Sequence, residues 1–156
     1  MSAKGQVFSS DFFVGLTIFL IGLSILIIFW NYTNYRIQAK RAIEDLSRLA
    51  LSISNVFFIE GEPKYWSPEN VVILGFSNEE RLNWTKINYM KGIGYEKIRE
   101  MLGCPYFFQL RLINATNDFL IFNLTKEVSN AEFIAKAERY GILNSSIVRI
   151  EVIVWR

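Results

Sequence analysis

The first part of the chain is dominated by an apolar run from Phe12 to Trp30. The run contains no charged residue, and only Thr17 and Ser24 have polar side chains. As a helix it is about 28 Å long, close to a bilayer hydrocarbon core of roughly 30 Å. A hydroxyl in a helix can bond to the carbonyl one turn earlier, so neither polar side chain needs water. The pattern predicts a transmembrane helix at residues 12–30, because core helices and signal-peptide apolar regions are usually shorter.

Beyond this run, the apolar positions take the spacing of an amphipathic helix. The aromatic residues Trp30, Tyr32 and Tyr35 come first, as is typical of a membrane–water boundary. Apolar residues then recur every three or four positions, which predicts one buried helix face. This face comprises Ile43, Leu46, Ala50, Ile53 and Phe57, and it is widened by Leu49 and Val56. We predict an amphipathic helix at residues 31–58 that continues the transmembrane helix. The alternative is a break near Asn31–Asn34, since asparagine and threonine are poor helix formers.

Residues 59–156 read as a small α+β head domain. A helix is predicted at Tyr95–Leu102, where Gly103 and Pro105 end it. Strands are predicted where apolar runs or alternating polar and apolar residues occur. They are Val71–Phe76, Tyr106–Ile113, Phe119–Leu124 and Ser146–Trp155. The segment Ala131–Tyr140 is predicted to be helix or loop. We expect the amphipathic helix to pack on a small, mainly antiparallel sheet in which the last strand is not a free edge.

Composition excludes several classes of function. A net charge of +2 is too close to neutral for nucleic-acid binding as the main role. The chain has no histidine and one cysteine, Cys104, which excludes histidine general-base chemistry, an internal disulfide and a Cys/His zinc site. Cys104 has no basic residue within four positions in the sequence and is interpreted as a small buried hydrophobe. The carboxylates Asp118, Glu127, Glu132 and Glu138 form no motif, so we expect no catalytic residues, no metal and no cofactor.

The residues before the apolar run contain a candidate processing site, Lys4-Gly5-Gln6. This junction resembles the class III signal peptide of archaeal type IV pilins. The resemblance implies that a prepilin-type peptidase cuts between Gly5 and Gln6, so that residues 1–11 form a leader and helix entrance and the apolar helix is retained. In the usual pattern, serine and an acidic residue follow the glutamine by two and four positions. Here Ser9 and Asp11 each come one position later.

The head carries a second, weaker set of similarities. Short segments such as Gly61-x-Pro63, Leu74-Gly75-Phe76 and Lys86-Ile87 resemble those of small archaeal pilin-like membrane proteins. The resemblance implies a structural subunit that assembles through its N-terminal helix with copies of itself or with other pilin-like subunits. The alternative is a monomeric, single-pass binding or sensor module anchored in membrane lipid.

Asp11 has two interpretations at the entrance of the apolar helix. It is an ordinary interfacial charge, or it is an assembly residue. In the second case, the helix dipole favours the anion and the free amine of a neighbouring subunit's Gln6 pairs with it where an unpaired charge is costly.

Two signals disagree about which side of the membrane holds the head. Lys4 precedes the helix whereas Arg36, Lys40 and Arg41 follow it, which favours a cytoplasmic head. Against this, N-x-[ST] sequons are more frequent than chance predicts, and N-glycosylation takes place outside the cytoplasm. The sequons start at Asn31, Asn83, Asn114, Asn123 and Asn144. Asn31 lies beside the bilayer, so the other four are the candidate glycosylation sites. We expect a single-pass cell-membrane protein with its head outside the cytoplasm, and the pilin resemblance extends this expectation to a surface filament.

Overall fold

The computed structural model describes residues 10–126 and 131–156. The chain divides into two compact units, Met1–Lys40 and Arg41–Arg156. The predicted α+β class is confirmed: a long N-terminal apolar helix precedes small antiparallel sheets.

The described elements follow one another in a simple order. The helices are α1 (Ser10–Asn55), α2 (Trp84–Ile93) and α3 (Tyr95–Met101), and a 3₁₀ turn (Val56–Phe58) follows α1. The strands are β1 (Ser77–Asn78), β2 (Arg81–Leu82), β3 (Phe107–Asn114), β4 (Leu120–Thr125), β5 (Ile134–Leu143) and β6 (Ser146–Trp155). Because α1 is a single helix through residues 31–34, the prediction of one continuous helix is confirmed.

The main sheet has the strand order β4-β3-β6-β5, and every neighbouring pair is antiparallel. The last strand of the chain, β6, lies between β3 and β5 and pairs along its whole length with β5. The expectation that the terminal strand is not a free edge is therefore confirmed.

Helix α3 is tied to the sheet through Tyr95. The Tyr95 hydroxyl donates to the Phe108 carbonyl on β3 at 3.1 Å and accepts from the Phe108 amide at 2.9 Å.

The core of the second unit forms between the helices and one face of the sheet. The last four turns of α1 and the 3₁₀ turn contribute fully buried Leu46, Ala50, Ile53 and Phe57. The sheet contributes alternate residues of β3 and β6, as the period of a half-buried strand requires. These are Phe108, Leu110, Leu112, Val148, Ile150, Val152 and Val154. Ile43, expected in the buried stripe, is 45% exposed, and Ala42 is buried one position earlier.

The predicted strand at Val71–Phe76 is wrong. Only Ile73 forms an isolated bridge, with Glu62, and Leu74 to Phe76 are buried one after another rather than alternately. The backbones of Gly61 and Gly75 approach so closely that a Cβ built on Gly75 would lie 2.1 Å from the Gly61 nitrogen. Trp66 fixes this contact by donating its indole N–H to the Gly75 carbonyl at 2.8 Å. Tertiary packing thus overrides the β propensity of this segment.

Two other elements differ from the sequence prediction. The segment Ala131–Tyr140, expected as helix or loop, largely forms β5. The residues after Leu82 form α2, for which no helix was predicted; Asn83 caps it by accepting from the Lys86 amide at 3.2 Å, and Gly94 ends it. The polar residues Glu79 and Glu80 form the turn of the short hairpin β1–β2.

Candidate functional site

The apolar part of α1 is the first candidate site. It is the one helix in the described residues that is long and apolar enough to span a membrane, and none of its most apolar stretch is buried within the protein. Its two hydroxyls are satisfied internally: Thr17 Oγ1 donates to the Phe13 carbonyl and Ser24 Oγ to the Leu20 carbonyl, both at 2.8 Å. A surface of this kind is apolar on every side and is stable only in contact with lipid or with other apolar helices.

The two ends of the apolar stretch carry different groups. Asp11 lies in the first turn of α1 and is exposed, so its carboxylate stands where the helix dipole favours an anion. At the other end, the Arg36 guanidinium lies 5.7 Å from the centre of the Tyr32 ring, and Tyr35 is exposed nearby in sequence. Gly5 and Gln6, the predicted processing residues, lie outside the described residues.

The sequon asparagines are distributed over the second unit. Asn83 caps α2, Asn114 ends β3, Asn123 lies on β4, and Asn144 lies in the turn between β5 and β6. The Asn114 Oδ1 atom accepts from the Thr116 amide at 2.9 Å, whereas the Asn123 Oδ1 atom accepts from Gln109 Nε2 at 3.0 Å. Asn123 and Asn144 are exposed, and the other two are half-buried.

A charged cluster on the sheet face opposite the core was missed by sequence reasoning. It is centred on Glu151, whose side chain is 5% exposed. Three cations surround its carboxylate: Lys136 Nζ at 3.0 Å, Arg149 Nε at 3.2 Å and Arg111 Nη1 at 3.3 Å. We call these four residues the Glu151 cluster. The alternation of β6 placed Glu151 on this face, but the strand order that brings the cations around it is a long-range property of the sheet.

Two of the carboxylates named from the sequence each pair with one cation of the Glu151 cluster. Asp118 pairs with Arg149 at 3.0 Å and Glu138 pairs with Lys136, while Glu127 lies outside the described residues. In the described part of the chain, no group of three histidine, cysteine, aspartate or glutamate side chains is arranged to hold a metal ion.

The Cys104 thiol and the Lys86 ammonium are buried, and the contacts of both are with backbone carbonyls. Cys104 is buried, its Sγ lies 3.3 Å from the Tyr106 carbonyl, and burial raises the pKa of its thiol. A raised pKa keeps the thiol protonated and unreactive, in agreement with the interpretation of Cys104 as a small hydrophobe. The ammonium of Lys86 donates to the carbonyls of Glu60 and Ser77, and burial lowers its pKa. Lys86 thus joins two chain segments rather than facing a cavity.

The clefts on the second unit are small. One of about 170 Å³ lies between the end of α1 and the end of α3, with Ile53, Val72 and Met101 in its lining. Another of about 240 Å³ lies at one end of the sheet, with Trp84, Asn114 and Asn144 in its lining. Neither cleft is lined by an acidic or basic side chain, so neither contains a pair of groups suited to acid–base chemistry.

No protein-family model, curated protein or solved structure matches the chain. The long apolar N-terminal helix followed by a small antiparallel sheet is compatible with a pilin-like fold.

Proposed function

We propose that the chain is a membrane-anchored structural subunit of the pilin-like type, with a role in assembly rather than catalysis. The observation that carries the proposal is the exposed apolar part of α1, which continues without interruption into the helix of the head. A continuous helix of this kind links an apolar assembly segment directly to a folded domain. Lipid surrounds the apolar segment before assembly, and apolar helices of other subunits replace lipid afterwards.

The leader resemblance adds a processing step to this proposal. A prepilin-type peptidase would remove residues 1–5 and leave Gln6 as the mature N-terminus. Mass spectrometry of the N-terminal peptide, on protein purified from its native membrane, tests this step. We expect Gln6 as the first residue and the protein in filaments sheared from the cell surface. An intact Met1 together with absence from the sheared fraction would favour a monomeric anchored module.

Asp11 is proposed as the assembly residue. Because its carboxylate lies at the exposed start of α1, Asp11→Ala leaves the apolar segment intact and should preserve membrane insertion while reducing assembly. Asp45→Ala, an exposed aspartate in the head part of α1, is the matched control and should assemble normally. Normal assembly of Asp11→Ala would show that Asp11 is only an interfacial charge.

We further propose that the head lies outside the cytoplasm, as the sequons favour. Protease added to intact cells should digest the exposed loops of the second unit and remove an epitope tag placed at the C-terminus. Protection of the tag in intact cells, with digestion only after lysis, would place the head inside.

A further inference from the structure

Two sequon asparagines line the same cleft, although thirty positions separate them in sequence. Asn114 ends β3 and Asn144 lies in the β5–β6 turn, and both contribute to the cleft of about 240 Å³ at this end of the sheet. The antiparallel pairing of β3 with β6 brings the two positions together. Each sequon therefore opens on the same small depression.

The lining of this cleft is mostly apolar and includes an aromatic ring. Trp84 contributes from the start of α2, and Ile121 and Leu143 contribute from β4 and β5. Trp84 is half-buried, so part of its ring remains in contact with solvent. Sugar rings have an apolar C–H face that packs on aromatic side chains, which makes this lining suitable for a carbohydrate.

The local geometry of both asparagines tolerates modification. The Asn114 Oδ1 atom is engaged by the Thr116 amide at 2.9 Å, which is an interaction of the side-chain oxygen alone. N-glycosylation takes place on Nδ2 and leaves Oδ1 as an acceptor, so this turn survives modification. Asn144 is exposed and has a φ of 48°, a conformation that asparagine adopts more readily than most residues.

The hydroxyls that complete these two sequons have no partner in the described residues. Thr116 Oγ1 and Ser146 Oγ are exposed and make no hydrogen bond within that part of the chain. By contrast, Thr125 Oγ1, which completes the Asn123 sequon, donates to the Lys126 carbonyl at 2.9 Å, and Asn123 itself is held within β4. The hydroxyls of Thr116 and Ser146 are thus available to the enzyme that transfers the glycan to the asparagine of each sequon.

We propose that this end of the sheet is an N-glycosylated face, modified at Asn114 and Asn144, whose cleft seats the attached sugar against Trp84. The inference rests on the proposed extracytoplasmic location of the head. In the reaction, the side-chain Nδ2 forms a bond to the anomeric carbon of a glycan carried by a membrane lipid phosphate or diphosphate. The bond from that carbon to the phosphate oxygen breaks, the lipid phosphate leaves, and Nδ2 loses one of its two protons.

Glycopeptide mass spectrometry of the full chain, purified from its native membrane, tests the sites. We expect glycan mass on the peptides that contain Asn114 and Asn144 and none on the peptide that contains Asn123. Thr116→Ala and Ser146→Ala should each remove one glycan while keeping both asparagines, and Thr125→Ala should change nothing. Unmodified peptides at both cleft positions, or glycan on Asn123 alone, would overturn the proposal.

A double-mutant cycle tests the seat of the sugar. Removing both sequons by Thr116→Ala with Ser146→Ala should lower the melting temperature of the glycosylated protein by about 2–4 °C, on the scale of a loss near 1 kcal/mol. The same pair of changes should have a smaller effect in a Trp84→Phe background. Equal effects in both backgrounds would show that the glycan does not contact Trp84.

The outcome is separable from that of the proposed function. Protein that is cut after Gly5 and found in sheared filaments, but unmodified at both asparagines, would contradict the glycan alone. A protected C-terminal tag in intact cells would instead contradict the location on which both proposals depend.

Discussion

At the scale of single residues, Glu151 is the one carboxylate that the described fold buries. Removing its charge leaves Lys136, Arg149 and Arg111 close together without their common anion. We expect Glu151→Gln to lower the free energy of unfolding by about 1–3 kcal/mol, less than for a fully buried pair because the cations are partly exposed. Urea denaturation followed by circular dichroism in detergent measures this change.

Glu138→Gln is the matched control for the Glu151 cluster. Glu138 faces Glu151 across the β5–β6 pair and also contacts Lys136, but its side chain is 42% exposed. Its loss should change the free energy of unfolding much less than that of Glu151. Equal effects of the two substitutions would mean that burial adds nothing to the cluster.

The pair of Lys136 and Glu138 also predicts a pH dependence. The Lys136 ammonium holds the pKa of Glu138 below its usual 4.5, and the hydrogen bonds that Lys136 donates to Glu138 and Glu151 raise its own pKa above the usual 10.5. The carboxylate's contribution to stability is complete above the unfolded pKa of 4.5 and is lost as the pH falls through the folded value. The ammonium's contribution is complete below 10.5 and is lost as the pH rises through its folded value.

Lys136→Met should therefore flatten the decline of melting temperature in acid. Melting curves of both proteins between pH 3 and pH 7 provide the comparison, with the steeper curve expected for the unmodified chain. Parallel curves would show that other carboxylates control acid unfolding.

At the scale of elements, the head part of α1 shows how a stripe read from sequence becomes a packed face. Leu46 is fully buried in the core, whereas Ile43 is 45% exposed. Leu46→Ala should cost about 2–5 kcal/mol of unfolding free energy because it leaves a cavity. Ile43→Ala should change it by no more than about 0.5 kcal/mol, as is usual at exposed positions. Denaturant titration of both variants decides whether Ile43 lies outside the core. Comparable losses of unfolding free energy would show that Ile43 belongs to the buried face.

The sheet strands differ in how far sequence predicts them. In β6, Val148, Ile150 and Val152 alternate with charged or less buried residues, so its local propensity and its packing agree. In β5, Ala135 and Ala137 are buried and alternate with Lys136 and Glu138, and Leu143 is buried at the end of the strand. Alanine, lysine and glutamate favour helices, so only the pairing with β6 makes this segment a strand.

The helix α2 was detectable from local signals. Asn83 is a favourable N-cap and Gly94 is a favourable helix stop, and both act in these roles in the structure. The intervening segment has no clear apolar stripe, with Lys86 itself buried, so periodicity alone did not reveal the helix. The candidate sites divide in the same way: the apolar helix is local and was predicted, whereas the Glu151 cluster and the sequon-lined cleft depend on strand order.

At the scale of the whole molecule, the chain combines surfaces that need different surroundings. The apolar part of α1 leaves its large side chains exposed, from Leu16 at 40% to Ile28 at 68%. The second unit has its own buried core of helix and sheet residues. The first unit therefore obtains its stability from what surrounds it, and the proposed assembly would exchange lipid contacts for helix contacts.

Gly15 and Gly22 test whether that exchange takes place. They are seven residues apart, which places them about 20° apart around the helix, and a Cβ added at either would meet nothing within 4 Å in the isolated subunit. Gly15→Leu with Gly22→Leu should therefore leave membrane insertion unchanged. If neighbouring helices approach closely along this face, the two added side chains should strongly reduce the protein recovered in sheared filaments. Val14→Leu with Ile21→Leu, one position earlier and about 100° around the helix, is the control and should assemble normally. Assembly of the glycine variant at the control level would show that this face contacts lipid rather than another subunit.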